Sequence, residues 1–339
     1  MKRTLSFALA GVLALSVLAG CGSKPGKVYE QPASPANPAT PKQAEGKLKI
    51  GQLPVVDGMP FWVAAEKGYY KQEGVEVELI TFKSANERDA AIISGDIDGM
   101  LADPIATATL VASGTPVKIA SLGLGATKAE GPMAIIAAPG SGITKVEDLK
   151  GVEIAISNGS VMDFVVEKLL TEAGLKKEEI KTTNIPQIPI RYESLMSGKI
   201  KAAILPEPWL SMAAAEGKGT KTILHDATAG KLDYSLSVIP FREQSMKEKP
   251  EAIKRFFLAY NRAVNDIRLS PQGFMDLLIR EGKVPVEVKT VYKNVPPSMA
   301  QAPKKEDLES VVQWLVDRKI IKSPVSYEQL VDTSLLPKK

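Results

Sequence analysis

Hydrophobic and polar residues alternate, or recur at helical spacing, along most of the chain after residue 46, and the pattern predicts strands and helices in turn. In "VEVELITF", apolar residues occupy every second position from Val75 to Leu79, which is typical of a half-buried strand. The next segment, "SANERDAAIISG", predicts a helix in which Ser84 and Glu87 are spaced as a capping box. "IDGMLA" then predicts a short buried strand before Asp103-Pro104, a pair that suits the start of another helix.

The second half of the chain repeats this order of elements. Ser94 to Pro104 reads "SGDIDGMLADP", and much later Ser197 to Pro208 reads "SGKIKAAILPEP". Around the second copy the hydrophobic pattern again predicts three strands that alternate with helices. Such alternation is typical of parallel sheets with right-handed crossovers. We therefore expect two α/β lobes, with a ligand cleft lined by the loops at the carboxyl ends of their strands.

The amino-terminal residues have the layout of a secretory signal. A cationic start precedes the apolar run Thr4–Gly20, and Leu18-Ala19-Gly20-Cys21 resembles a bacterial lipobox, which implies cleavage before Cys21 and lipid attachment there. The alternative is a membrane-spanning helix, which needs about 17 to 25 apolar residues, so this run is at the short limit. The sequence predicts a signal peptide at 1–20 and, because 21–46 is rich in Pro, Ala, Ser and Gly, a flexible tether there.

Composition excludes several classes of function. The chain has 339 residues and a formal net charge of +4, with no basic field that would suggest nucleic acid as a partner. Cys21 is the only cysteine and His225 the only histidine. An intramolecular disulfide, a cysteine- or histidine-rich metal centre and most catalytic triads are therefore excluded. We expect no metal, no cofactor and no catalytic residue.

Three motifs carry a resemblance to a known family. "GMPFWVAAEKGYYKQEGVEVEL", then "GDID", then "SGTPVKI" resemble the amino-terminal lobe of the nitrate, sulfonate and taurine family of solute-binding proteins for ABC importers. That family includes proteins resembling thiamine-pyrimidine synthase. The similarity covers Lys47 to about Ala227, and "KPEAIKRFFLAYNRAV" also fits. It implies a two-lobed α/β fold like that of type II periplasmic binding proteins, which closes on a small molecule and delivers it to a membrane permease.

The resemblance also implies how the chain divides. Lobe one would comprise 47–133 and 240–339, including a helical carboxyl-terminal part that packs on it, and lobe two would comprise 140–231. The apolar stretches "PMAIIAAP" and "YSLSVIP" would be crossover strands at about 132–139 and 232–240. We expect a monomer that works with ABC permease and ATPase subunits. It would lie in the cell envelope, lipid-anchored through Cys21 to the outer face of the cytoplasmic membrane or in the periplasm.

Candidate ligand-binding residues lie where strands end and helices begin, because backbone N–H groups there favour an acceptor or an anion. They belong to the first loop of lobe one, to the start of its second helix and to the equivalent first loop of lobe two: Asp57, Gly58, Met59, Phe61, Trp62, Ser84, Asn158, Gly159 and Ser160. Each serine could instead act only as a helix cap.

Charged and aromatic residues favour two different ligand classes. Arg191, in the turn after the second strand of lobe two, could bind an oxyanion through two N–H groups, or it could be a solvated surface arginine. Asp57, Asp103 and Glu207 oppose an anion unless they only cap helices. Trp62, Trp209 and Tyr234 could sandwich a flat ring, or pack in the core. The ligand is thus a sulfonate- or carboxylate-type anion or a planar vitamin-precursor heterocycle such as a pyrimidine.

Two other functions are alternatives. Pyrimidine synthases of similar fold carry a cysteine-rich motif and an essential histidine, which Cys21 and His225 do not supply. Menaquinone-pathway enzymes of similar fold are cytoplasmic, in conflict with the leader. A surface interaction lipoprotein would use the same body to contact another protein. The sequence favours a binding protein over both.

Overall fold

Two five-stranded mixed sheets organise the computed structural model, which describes residues 46–127, 130, 133–215, 221–225, 235–294 and 297–338, with backbone only at 221–225. All of these residues belong to one compact unit. The signal peptide, Cys21, all but the last residue of the tether, and Tyr234 lie outside the described residues.

The first sheet has the strand order β2-β1-β3-β10-β4. Its strands are β1 (Lys47–Gln52), β2 (Glu76–Thr81), β3 (Gly99–Met100), β4 (Val117–Leu124) and β10 (Ser237–Arg242). Parallel pairing joins β1 to β2 and to β3, whereas β10 runs antiparallel to β3 and β4. The alternating sequence predicted β2 correctly, but its burial does not alternate: the first and last residues are exposed and the four between them are half-buried.

The second sheet has the order β7-β6-β8-β5-β9 and repeats the plan of the first. Its strands are β5 (Met133–Ala137), β6 (Glu153–Ile156), β7 (Lys181–Asn184), β8 (Ala202–Pro206) and β9 (Lys221–His225). As β1 does in the first sheet, β6 lies between its two parallel neighbours, β7 and β8. An antiparallel strand, β5, then follows β8, in the position that β10 has next to β3. This confirms the internal repeat predicted from the two similar turns.

The repeated Ser-Gly pairs have a structural role in this plan. One helix ends at Ser94 and is followed by Gly95 with φ of 85°, and another ends at Met196, two residues before Gly198 with φ of 72°. Glycine adopts these left-handed angles without the steric cost that a Cβ would bring. Each pair therefore ends a helix and turns the chain into the third parallel strand of its sheet.

Helices connect the strands of both sheets. On the first sheet they are α1 (Met59–Glu66), α2 (Tyr69–Glu73), α3 (Ala85–Ser94) and α4 (Pro104–Ala112); on the second they are α5 (Val161–Glu172), α6 (Ile188–Met196) and α7 (Trp209–Ala215). Short 3-10 turns precede α1, β6 and β7, at Val56–Gly58, Val146–Leu149 and Lys177–Glu179. We call the first sheet with α1–α4 lobe one, and the second sheet with α5–α7 lobe two.

The chain passes between the sheets earlier than the sequence indicated. The stretch predicted as the first crossover, 132–139, contains β5, which pairs with β8 and β9 inside the second sheet. The passage lies between Leu124 and Met133, and the return lies between His225 and Ser237. The described part of each apolar stretch contains a buried strand, as predicted, but each strand belongs to a sheet because its backbone groups must find partners.

The carboxyl-terminal helices contact both lobes. They are α8 (Glu243–Glu248), α9 (Pro250–Leu269), α10 (Met275–Gly282), α11 (Val288–Val291), α12 (Lys305–Asp317) and α13 (Tyr327–Leu330). Helix α9 packs on α1 of lobe one, where the ring centroids of Phe61 and Phe256 are 5.3 Å apart. This confirms that the helical carboxyl-terminal part packs on lobe one. Helix α12 packs on α4 but also reaches lobe two, where Trp314 lies 5.6 Å from Phe164 of α5.

None of the helices in the described part of the chain is both long and apolar enough to cross a membrane.

Candidate ligand-binding site

A cavity of about 90 Å³ lies between the two sheets, at the strand ends where the sequence placed a cleft. Its wall combines residues of lobe one, residues of lobe two and the start of β10: Leu53, Val55, Asp57, Arg88, Leu101, Ala102, Asp103, Met133, Val161, Met162, Ile188, Pro206, Leu236 and Ser237. A single water needs roughly 10–15 Å³ of such space, so the cavity suits a small solute. None of these wall residues is aromatic, and three are charged.

Asp103 joins the two lobes. Its side chain caps α4 by accepting the Ala106 N–H at 2.8 Å, which confirms the predicted capping. The carboxylate also faces the first N–H of α5 in lobe two, at Val161. Burial raises the pKa of Asp103 to about 6, although nearby Arg88 and these two N–H groups oppose the rise. Capping and lining the cavity are therefore compatible roles for this one residue.

Asp57 lies in the 3-10 turn that follows β1 and is half-buried in the cavity wall. Burial raises the pKa of its carboxyl group, and the Ser237 hydroxyl donates a hydrogen bond that partly counters this. Ser237 also accepts the Leu124 N–H at 2.9 Å, which fixes the direction of its hydroxyl. The cavity thus has a second carboxylate whose charge is only partly compensated.

Arg88 in α3 is the functional candidate that the sequence reasoning missed. It is 2% exposed and lines the cavity, but its guanidinium is held by Asp89 at 2.7 Å and by the Leu101 carbonyl at 3.0 Å. A signal was present, because Arg88, Ala91 and Ile92 form the buried stripe of α3 at helical spacing. Because Asp89 forms an ion pair with Arg88, Asp57 and Asp103 leave the lobe-one part of the wall with an excess of negative charge.

The residues of lobe two that line the cavity at the start of α5 come just after the loop residues that the sequence predicted. Asn158 and Gly159 are exposed and outside the cavity wall, and Ser160 caps α5 by accepting the Met162 N–H at 3.2 Å. The side chains that reach the cavity are Val161 and Met162. The first residues of α5, and not the loop before it, therefore form this part of the cavity wall.

Arg191 is neither in a turn nor at the surface. It lies inside α6 and is fully buried, so the predicted turn and the alternative of a solvated surface arginine are both wrong, whereas its role in binding an anion stays a prediction. Its Nη1 donates to the Ile185 carbonyl at 2.9 Å, its Nη2 lies 2.8 Å from the Met162 Sδ, and its Nε has no hydrogen-bond partner within the described part of the chain. Burial alone lowers the pKa of Arg191 to about 9. It is absent from the cavity wall, but Met162 and Ile188, which touch or neighbour it, are part of that wall.

Several other candidates lie outside the cavity wall. Glu207 accepts two hydrogen bonds from Ser211 of α7, which supports its helix-capping role. Ser84 caps α3 by accepting the Glu87 N–H at 3.3 Å. The Glu87 carboxylate in turn accepts the N–H of Lys83, the residue before Ser84. Gly58 is buried next to Gln52, whose Oε1 would lie 2.6 Å from an added Cβ. These residues shape the helix starts around the cleft.

The candidate aromatic residues pack in the core. Met59, Phe61 and Trp62 are at most 3% exposed within one hydrophobic cluster, and Trp209 packs against Tyr192 with centroids 5.1 Å apart. None of them is part of the cavity wall. A ring sandwich that uses Trp62 and Trp209 is therefore wrong for this arrangement of the chain, because both indoles already fill space between helices and sheet. Across the described residues, no three potential metal-ligating side chains come together.

The family model described as NMT1/THI5 like matches residues 56–273, which is more than half of the chain. The chain belongs to this family. Among its relatives, 4-amino-5-hydroxymethyl-2-methylpyrimidine phosphate synthase THI13 of Saccharomyces cerevisiae is 24% identical over 225 residues, and the match spans 63% of this chain and 64% of the synthase. Riboflavin-binding protein RibY of Chloroflexus aurantiacus is 25% identical over 279 residues, 80% of this chain and 76% of RibY.

A solved structure of similar fold is that of the alkanesulfonate-binding protein SsuA from Xanthomonas axonopodis pv. citri bound to MOPS. It superposes with a TM-score of 0.71 over 86% of this chain and 97% of SsuA, at 16% sequence identity. This likeness confirms the predicted fold class, a two-lobed α/β protein like the periplasmic binding proteins. The relatives and structural neighbours include proteins named as binding proteins and proteins named as synthases.

Proposed function

We propose that this NMT1/THI5-like chain is the solute-binding component of an ABC importer and captures a small organic solute between its two lobes. The observation that carries the proposal is the cavity itself, which is built from the strand ends of both sheets and bridged by Asp103. A site made of two lobes closes around its ligand, and closure is the change that a permease can recognise. SsuA and RibY, named for what they bind, support a binding role.

The amino-terminal sequence favours a receptor held at a membrane. Cys21 of the lipobox would carry the lipid, and residues 22–46 would leave the folded body free to reach permease and ATPase subunits. The proposed location is the cell envelope, outside the cytoplasm, and the proposed working unit is a monomer.

The described wall favours a solute with at least one N–H donor. Asp57 and Asp103 both face the cavity, and Arg88 is already paired with Asp89. A carboxylate that is partly desolvated gains most from a cationic or N–H-bearing partner. The other wall residues are largely apolar, so the rest of the solute would be a short hydrocarbon body.

Ligand-induced compaction tests the proposal. The purified protein is screened against small amines, amino acids, sulfonates and heterocycles by thermal shift, and the hits are followed by small-angle scattering. The proposal expects a stabilising solute that lowers the radius of gyration, with weaker binding in Asp57→Asn and unchanged binding in the surface variant Asp148→Asn. Stabilisation without compaction, or equal binding by all three proteins, would contradict it.

The proposal also expects capture without turnover, although the yeast relative is named as a synthase. The test incubates the protein with its strongest binder and recovers the small molecule by chromatography and mass spectrometry. Unchanged solute in stoichiometric amount supports a receptor. A product that accumulates beyond one equivalent would make the chain an enzyme.

A further inference from the structure

Arg191 is a buried positive charge without an acidic partner among the described residues. Its side chain is fully buried, and the hydrogen-bonding contacts that the described residues offer it are a backbone carbonyl and a thioether sulfur. The other buried arginine of the site, Arg88, has a carboxylate at 2.7 Å. Buried charges are ordinarily paired, because removing an ion from water without a counter-ion is costly.

Met162 separates this charge from the cavity. Its sulfur lies 2.8 Å from Arg191 Nη2, and the same side chain forms part of the cavity wall. Thioether sulfur is a weak acceptor, and methionine is unbranched and changes rotamer easily. Ile188, one helical turn before Arg191, lines the cavity beside it. A rotation of one flexible side chain would therefore bring the guanidinium into contact with a bound solute.

We propose that Arg191 is a covered anion subsite, that Met162 is its movable cover, and that the solute carries an anionic end as well as the N–H-bearing end received by Asp57 and Asp103. This inference rests on the proposed solute-binding function and adds the chemical class of the ligand, a small zwitterion or similarly bipolar molecule. The anionic end displaces the Met162 sulfur and satisfies the guanidinium, so the cost of burying Arg191 is recovered only in the bound state.

The two poles belong to different lobes. Asp57 and Asp103 lie on loops of lobe one, whereas Met162 and Arg191 lie on helices α5 and α6 of lobe two. A bipolar solute would connect the lobes electrostatically, and a solute with only one charged end would satisfy one lobe. The arrangement thus selects for ligands that favour closure.

The test compares β-alanine, acetate and ethylammonium as probes, each titrated into the full-length protein at constant ionic strength. We expect β-alanine to bind on the order of ten-fold more tightly than either single-ended probe, because it makes a charge-assisted contact at each pole. Met162→Ala, which removes the cover, should bind acetate more tightly than the native protein. Asp148→Asn, which lies outside the cavity wall, is the control and should bind all three probes as the native protein does.

Arg191→Met supplies the decisive control. It should abolish the gain of Met162→Ala for acetate and the preference for β-alanine, while binding of ethylammonium stays within about two-fold. Equal acetate binding with and without Arg191, or no acetate response in Met162→Ala, would overturn the inference. Ligand-induced compaction by another solute would still stand in that case, so failure of the subsite is distinguishable from failure of the receptor function.

Discussion

The replacement Arg191→Met should make the ligand-free protein more stable. An arginine ordinarily titrates above pH 12, and burial lowers the pKa of Arg191 to about 9. One pKa unit corresponds to about 1.4 kcal/mol, so the buried charge opposes folding by on the order of 4 kcal/mol at pH 7. Because the folded-state pKa is the lower one, this cost is present below about pH 9 and fades as the pH rises through and beyond that value.

Methionine removes the charge and fills similar space, but it leaves the Ile185 carbonyl without its donor, which costs about 1–3 kcal/mol. The net expectation is a gain of roughly 1–3 kcal/mol in the free energy of unfolding, in line with replacements of buried ions by apolar groups. Urea denaturation of the ligand-free protein at pH 7 measures this, with an unchanged m-value as the check that only stability changed.

Arg88→Met is the matched control. Arg88 is similarly buried but paired with Asp89, so its loss leaves a carboxylate without its partner and should destabilise the protein by about 3 kcal/mol or more. If Arg191→Met destabilises the protein as much as Arg88→Met does, Arg191 is a structural residue. The reasoning about its uncompensated charge is then refuted.

Three further changes test other parts of the molecule. Asp103→Asn keeps a capping side chain but removes the charge of a carboxyl group whose pKa burial raises to about 6. Denaturation at several pH values should show a more stable variant at pH 7 and no difference below about pH 3, where the Asp103 carboxyl is protonated in the folded and the unfolded protein; an equal difference at both pH values would contradict this. Gly99→Ala places a Cβ 2.6 Å from the Phe241 ring and should cost about 1–3 kcal/mol in calorimetry, with partial rescue by adding Phe241→Leu; no loss would mean that the strands separate freely. Arg318, at the end of α12, makes ion pairs with Asp163 and Glu167 of α5, at 3.5 and 3.0 Å, and Arg318→Gln removes them. The free energy of unfolding should change by less than about 1 kcal/mol, but scattering should show a larger radius of gyration for the ligand-free protein. An unchanged radius would show that these ion pairs do not hold α12 and α5 together.

Local sequence signals predicted the elements well because each depends on a few neighbouring residues. The alternation in β2, the break between α1 and α2 at Gly68, and the Asp103 cap are set by periodicity, left-handed glycine and side-chain capping. The repeated turns predicted two similar sheets for the same reason. These features need no knowledge of which segments meet in space.

The composition of the cavity wall depends on tertiary contacts and was only partly predictable. Arg191 looked like a surface charge because nothing in "PQIPIRYE" indicates that α5 and Met162 cover it. Trp62 and Trp209 follow predicted cleft loops in the sequence, yet both fill the core. The passage between the sheets was misplaced because a buried crossover and a buried sheet strand have the same apolar pattern.

Native mass spectrometry of the protein isolated from its own cells would show whether the space between the two sheets holds a captured solute. We expect a bound small molecule, recovered intact, on the native protein and its loss in the double variant Asp57→Asn/Asp103→Asn, which removes both cavity carboxylates. A native protein that never carries a solute, or the same solute retained at equal occupancy by the double variant, would contradict the claim that the space between the two sheets is the capture site.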